Sequence, residues 1–545
     1  MGSIPLSKYT TSMAQMGLAA LWLWSGVNTS YIQEFNGKDF LKPGKLFLFL
    51  GNSLKEIWVA FIRKLKIFIS DKPALVIASM YLMLIAGLLW TTDMHYALKD
   101  LRTKLPLLIL PLFLSTGPKV NTRTLNWMLV GFGLALLGGT IYRLVLLFSL
   151  PVADPRIVSA HLSHIRFSLN LVLSIFSLAY LAYKRFFAKP WMNIFLLLLA
   201  VWFLAFMIYM QYDTGVVITV IVTIIVAFVS AFRQSGLRSR ILLIISSLII
   251  LLIPVIYILS VIHEFRSVQP VYFLKLDQFT ENGNPYAHDT TNFVVENGKH
   301  PGLYICDKEL RSGWNKRSAI PFDGFDQKKQ LLRSTLIRYM ASKDLRKDSV
   351  GLCSLSQKDI SAIESGIANC KSTSGFNIKT QIYNYIIAYR NYRLLGDPNA
   401  GTLVQRLEYW RTSLLIFSKH PVIGAGTGDI PAAFEKQYNE MNSPLKPEFR
   451  KRSHNQYLST MVGFGFIGFI WFMFTLIYPP VKLKGFRYFY FVVFYIIAMV
   501  SMVSEDTIES QAGVTFFVFF TGLFLLAWQH GNKKGDLSEE YHAYE

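Results

Sequence analysis

Apolar runs long enough to cross a bilayer recur along the chain, separated by short connections that are alternately basic and nearly neutral. Clear runs lie near 74–91, 125–149, 167–183, 191–210, 215–232, 240–262, 456–478, 488–504 and 513–529. Each approaches the roughly 20 apolar residues that a ~30 Å hydrocarbon layer requires. A shorter run near 105–116 is predicted to span as well. Two N-terminal runs complete the pattern: 12–30, interrupted by Asn28, and 45–62, interrupted by Lys55 and Glu56. The pattern predicts an all-α, polytopic membrane protein of about 12 transmembrane helices. "RKLKIFISDK", "GPKVNTR", "YKRFFAK", "RQSGLRSR", "VKLKGFR" and "HGNKKGD" fall on alternate connections. Lys/Arg bias places them in the cytoplasm, with both termini inside.

Composition agrees with lipid as the solvent. The 545 residues are 52% hydrophobic and 16% charged, where a soluble chain carries about a quarter charged residues. The net charge of +21 follows from the basic connections and outer loop and calls for no nucleic acid. The first apolar run lacks a small-residue cleavage site and reads as a retained span. One outer connection, His263 to Arg452, is about 190 residues long, enough for a small external domain. Expected boundaries are therefore 1–262 for an N-terminal bundle of about eight spans, 263–452 for the loop domain, 453–530 for C-terminal spans and 531–545 for a cytoplasmic tail. Cys306, Cys353 and Cys370 all fall in the loop. An oxidising compartment would allow one disulfide, with Cys353 and Cys370 closing the shortest ring. No Cys/His metal spacing appears, so neither a metal site nor a cofactor is expected.

Residues 263 to about 325, rich in Gly, Asn, Pro and Asp, read as irregular. Helical periodicity then appears in "DQKKQLLRSTLIRYMASKDL", "SQKDISAIESGIAN" and "KTQIYNYIIAYRNYRLL". A fourth helix is expected from Leu403, with Thr402 and Gln405 at capping-box spacing. It presents Arg406 and Trp410 on one face and Arg411 on an adjacent one. It stops before Pro421, and Gly424, Gly426 and Gly428 form a turn. Because that turn follows a helix, it reads as structural more than as a phosphate cradle, although its amides would suit an anion.

In "RSHNQYL", Ser453 and Gln456 repeat the capping spacing. Ser453 is thus expected as N-cap and His454 as the first residue of the long span that follows. The positive helix end there disfavours imidazolium and leaves the ring able to accept a proton. Gly463, Gly465 and Gly468 are expected to give the helix a small face for close packing. The plainer alternative is that His454 and the preceding Arg450, Lys451 and Arg452 anchor lipid headgroups.

His454-Asn455, nine residues, Gly465, two residues, Gly468 matches the H-[NSQ]-x9-G-x-x-G signature of the O-antigen ligase and polymerase superfamily. "RLEYWRTSLLIFSKHPVIGAGTGD" resembles that family's arginine-bearing helix and glycine turn. The resemblance implies a C-type membrane glycosyltransferase-like fold in the bacterial inner membrane, with its active site facing the periplasm. It implies an inverting, metal-independent transfer from an undecaprenyl-diphosphate-linked glycan donor, with membrane lipids around it. In a ligase the acceptor is a sugar hydroxyl on lipid A core; in a polymerase it is another lipid-linked glycan. By this resemblance His454 is the catalytic histidine and Arg406 the diphosphate-binding arginine, with Arg411 its near alternative.

The chain departs from the family at "MQYDTGVVITV", which has Asp213 where an arginine is usual. Arg166, in "SAHLSHIRFSLNL", is a substitute at the same face, with headgroup contact as its alternative role. Glu505, Asp506 and Glu509 are placed to orient His454, to take a proton, or to pair with arginines. Arg102 and Lys104 are further candidate phosphate contacts. A non-catalytic polysaccharide transporter is the reading from another class; it would need charges buried within spans.

Overall fold

A computed structural model describes residues 1–27, 43–149, 162–233, 236–266, 276–289, 296, 298–327, 329–370, 378–399 and 401–529. The proposed tail, 531–545, and His161 beside Arg166 lie outside them. Helices account for the regular structure, with no strand beyond isolated bridges among the described residues. The chain divides into two compact units, Met1–Ile244 with Gln405–Glu545, and Ile245–Val404.

The first unit opens with α1 (Lys8–Trp24), α2 (Pro43–Ser70), α3 (Lys72–Ala86), α4 (Met94–Lys104) and α5 (Pro106–Thr116). It continues through α6 (Thr122–Ser149), α7 (His164–Tyr183), α8 (Pro190–Tyr209) and α9 (Asp213–Arg233) to the start of α10 (Leu237–Arg266), which belongs to the second unit from Ile245 on. The second unit contains α11 (Asp307–Trp314), α12 (Leu332–Ser342), α13 (Ser349–Cys353), α14 (Gln357–Glu364) and α15 (Ile378–Leu395). The first unit resumes within α16 (Thr402–Lys419), from Gln405 on, and continues with α17 (Ile430–Glu440), α18 (Gln456–Lys482), α19 (Phe489–Ser504) and α20 (Gln511–Gly522).

Among the described residues, seven helices are long and apolar enough to cross a membrane: Lys72–Trp90, Thr122–Ser149, His164–Tyr183, Pro190–Tyr209, Asp213–Phe232, Leu237–Glu264 and Gln456–Lys482. Phe489–Ser504 and Gln511–Ala527 are shorter apolar helices. The three remaining expected runs overlap α1, α2 and α5, with residues 28–30 of the first run outside the described residues.

Helix ends in the first unit gather into two groups. At one end Val120 bridges Trp528, Tyr180 stacks on Phe489 at 4.2 Å, and Tyr488 meets Trp528. The basic connections 117–123, 184–189 and 482–487 therefore share that end. Lys104, Arg166, the start of α18 and the link between α19 and α20 share the other. Between them, apolar residues of α3, α5 to α9 and α18 to α20 form one core. α1 runs against expectation. Ser12 accepts from Gln511 at the start of α20, and Trp22 donates to Thr116 at the basic end. Lys8 is its only charge, too little to orient it, and the buried Trp22, tilted on Phe113 at 4.8 Å, sets its direction.

The second unit has its own core around Leu310, Trp314, Leu336, Met340, Ile360 and Ile363. Three of the helices expected in this stretch are present as α12, α14 and α15, and Ser356 and Asp359 make a complete capping box on α14. Within the stretch expected to be irregular, α11 forms because Leu310 and Trp314, four apart, bury one face. The anticipated disulfide does not form. Cys306 is buried, Cys353 faces solvent and Cys370 turns its Sγ to the Ser342 carbonyl, so all three thiols are unpaired.

Candidate active site

The turn after α16 and the helix α18 are joined by an exchange of backbone hydrogen bonds. In an unbroken helix the Phe466 and Ile467 amides would donate to the carbonyls four residues back. Here they donate to Pro421 and Val422, at 2.8 and 3.2 Å, while Val462 and Gly463 accept from Ala425 and Gly426, each at 2.9 Å. Gly465 makes the break, with φ 63° and ψ −160° inside the helix. A Cβ on Gly465 would lie 2.3 Å from the Val422 carbonyl, and one on Gly424 would lie 2.4 Å from Phe464 N. The glycines thus serve a backbone-to-backbone clasp where a continuous helix with a small face was expected. The same turn reaches α3 and α4. Thr427 donates to the Leu84 carbonyl at 2.7 Å, and the Asp429 carboxylate accepts from the Thr92 and Asp93 amides, both at 2.8 Å. The turn's amides, including those of Gly424, Thr427 and Gly428, are spent within the protein, so it is structural and not an anion cradle.

The approach to α18 also differs from expectation. Asn455, not Ser453, is the N-cap, its side chain accepting from the Leu458 amide at 3.1 Å. His454 precedes it in the left-handed region, at φ 45°. Asp506 stabilises this conformation. Its carboxylate accepts from the backbone amides of His454 (3.2 Å) and Asn455 (3.0 Å) and from the hydroxyls of Ser453 (3.1 Å) and Ser459 (2.6 Å). Ser453 gives up the cap because its hydroxyl points to Asp506.

Glu505, next in sequence and also buried, faces the opposite way. Its Oε1 accepts from Arg406 Nη2 at 2.8 Å. Its Oε2 lies 3.7 Å from Arg166 Nη1 and 3.6 Å from His454 Nδ1. Arg166 is further held by the Asp506 carbonyl at 2.9 Å and Ser510 Oγ at 3.3 Å. The Tyr409 ring lies 5.6 Å from the imidazole, and its hydroxyl donates to the Phe449 carbonyl. Burial alone would raise the Glu505 carboxyl, but the His454 ring, Arg166 and Arg406 outweigh it and hold it below its ordinary value. Asp506 is pushed up by burial and by the charge of Glu509, which outweigh its bond from Ser459.

Behind this group lies a second, more enclosed one. Glu509 accepts from Lys104 at 2.7 Å and Arg452 at 2.9 Å, and Lys104 also meets Asp100 at 2.9 Å. Burial opposes ionisation of Glu509, yet the Lys104 and Arg452 charges prevail and hold it at about 2. Gln456 joins the groups, donating to Glu509 and accepting from the Ile508 amide.

His454, Arg406, Arg166, Glu505 and Asp506 are therefore brought together, with Glu509 and Lys104 adjoining. Arg411 is not part of the group: its side chain is 63% exposed and its near neighbour is Glu408 at 3.7 Å. Arg102 is exposed on α4. Sequence reasoning missed Asp100, although its i,i+4 spacing to Lys104 was a signal. It also grouped Arg452 with headgroup anchors, whereas Arg452 turns inward to Glu509. Arg143, fully buried in α6 with its guanidinium 3.6 Å over the Phe167 ring and a bond to the Leu162 carbonyl, was not anticipated. Among the described residues, no group of three or more His, Cys, Asp or Glu is arranged to hold a metal ion.

The segment carrying Arg406, the clasp and His454 can be set beside known proteins. Residues 360–473 match the O-antigen ligase family. The matched segment includes His454, Gly465 and Gly468, while Arg166 and Glu505 to Glu509 lie outside it. No curated protein matches the chain. The O-antigen ligase family match implies a glycosyl-transferring membrane enzyme of ligase or polymerase type, acting on lipid-linked glycan and acceptor substrates.

Proposed function

We propose that the protein transfers a glycan from undecaprenyl diphosphate to a sugar hydroxyl, as an O-antigen ligase does, with lipid A core or a related glycan as acceptor. The convergence of Arg406, Arg166 and His454 on one carboxylate carries this reading. Two guanidiniums within reach of one point suit a diphosphate, whose oxygens they bind in a planar fork. They supply fixed positive charge where negative charge develops on the leaving group, so the proposed transfer needs no metal. With Nδ1 of His454 turned toward Glu505, Nε2 is the nitrogen left to accept the hydroxyl proton. The acceptor oxygen then bonds to the anomeric carbon as the bond from that carbon to the diphosphate oxygen breaks. The electron pair leaves with the lipid diphosphate, the proton goes to His454, and the single displacement inverts the anomeric centre.

The loop charges support a site on the periplasmic face of the inner membrane. Basic connections 117–123, 184–189 and 482–487 lie at the end of the unit remote from His454, and Lys/Arg-rich loops stay in the cytoplasm. Incubating purified protein with lipid-linked donor and either lipid A core or a second lipid-linked glycan tests the proposal. Glycan joined to core is the expected product. Joined lipid-linked repeats would assign a polymerase, and no new glycosidic bond with either acceptor would overturn the reading.

A further inference from the structure

Each cation of the site already has an anionic partner. Lys104 and Arg452 are committed to Glu509, and Arg406 and Arg166 to Glu505. A diphosphate approaching the two arginines meets a carboxylate in the place it would occupy, and like charges so juxtaposed repel strongly. Glu505 has a second place to go. The Oε2 that faces Arg166 also faces His454 Nδ1, so a carboxylate released from the arginines keeps the imidazole as a neighbour. Asp506 does not compete for this role, because its oxygens are taken by the two amides and two hydroxyls of the 453–459 segment.

We propose that Glu505 is the resting occupant of the diphosphate seat and the positioning residue of His454. The donor's diphosphate displaces it from Arg406 and Arg166, and the released carboxylate turns wholly to His454 Nδ1. Donor binding thereby strengthens the base: the imidazole is a better proton acceptor at Nε2 once the Glu505 charge is no longer shared with two guanidiniums. This inference rests on the glycosyl-transfer reading and adds an order to it, in which His454 becomes fully competent only when a donor is seated.

The test measures binding of inorganic diphosphate to the full-length purified protein by calorimetry, alongside transfer kinetics with lipid-linked donor. Glu505→Gln removes the competing charge and should bind diphosphate roughly fivefold or more tightly than wild type, within the usual span of site-to-site coupling. Its donor KM should fall while kcat falls by about 10². Glu505→Asp keeps the charge but withdraws it by one methylene, so its diphosphate affinity should lie between the two and its kcat should recover in part. A structural role alone would not make binding tighter. Diphosphate affinity equal to or weaker than wild type in Glu505→Gln overturns the inference; if that variant does not accumulate, the same result in Glu505→Asp does so. Absence of any transfer by the wild type, with the affinity order intact, would instead remove the enzymatic reading and leave the exchange standing.

Discussion

Asp506 holds His454 by its backbone and not by its ring: the carboxylate accepts the His454 amide at 3.2 Å while the imidazole is left to Glu505. Asp506→Asn preserves size but replaces one accepting oxygen with a donor that cannot take an amide proton. Leaving buried donors unpaired costs about 1–3 kcal/mol. The variant should melt earlier in detergent than wild type and should lose transfer activity beyond the loss of folded protein, because His454 leaves its left-handed conformation. A variant with wild-type turnover per folded molecule would show that the clamp is dispensable.

His454→Gln keeps a polar side chain of similar reach and removes the base. Transfer should fall by roughly 10² to 10⁴, while accumulation in the membrane stays normal because Asn455 and Asp506 still start α18. Activity close to wild type at matched protein levels would recast the residue as a positioning or headgroup contact and move the proton acceptor to the carboxylates.

The two arginines of α16 should separate cleanly. Arg406→Lys should already impair transfer, since a point ammonium does not reproduce the bidentate fork. Arg411→Ala should change rate and expression little, its side chain being largely exposed. The reverse ranking in a matched assay would exchange their roles.

Gly465→Ala tests the clasp. The substitution places a methyl 2.3 Å from the Val422 carbonyl at a φ of 63°, so both sterics and backbone oppose it. Little folded protein should be recovered. Gly131→Ala, where nothing lies within 4 Å of the new Cβ, should be neutral or stabilising by up to about 1 kcal/mol. Thermal unfolding of the pair provides the comparison.

Much of this arrangement was legible in the sequence, for physical reasons that differ from residue to residue. Loop charge and apolar length are local properties, so the alternation of basic connections appeared at once. The His454 motif and Arg406 were legible because their spacing is short. Lys104 was read as a phosphate contact because nothing local reveals a partner 405 positions away. The division of labour between Glu505 and Asp506 was hidden too. It depends on the left-handed turn at His454, a conformation that histidine adopts more readily than most residues but still too seldom to be read from one position. Gly465 looked like a packing glycine, since a helix break compensated by a second segment is invisible until both backbones are in view.

The exchange of hydrogen bonds at Gly465 also acts as a ruler. From Gln456 to Phe464 the helix rises about 12 Å at 1.5 Å per residue, which sets how far His454 stands from the clasp on the Pro421 turn. One residue inserted in that interval would turn the histidine about 100° around the helix axis, away from Glu505, without altering a single side chain of the site. The distance between the two halves of the motif is therefore itself a determinant of register, as restrictive as the identity of either half.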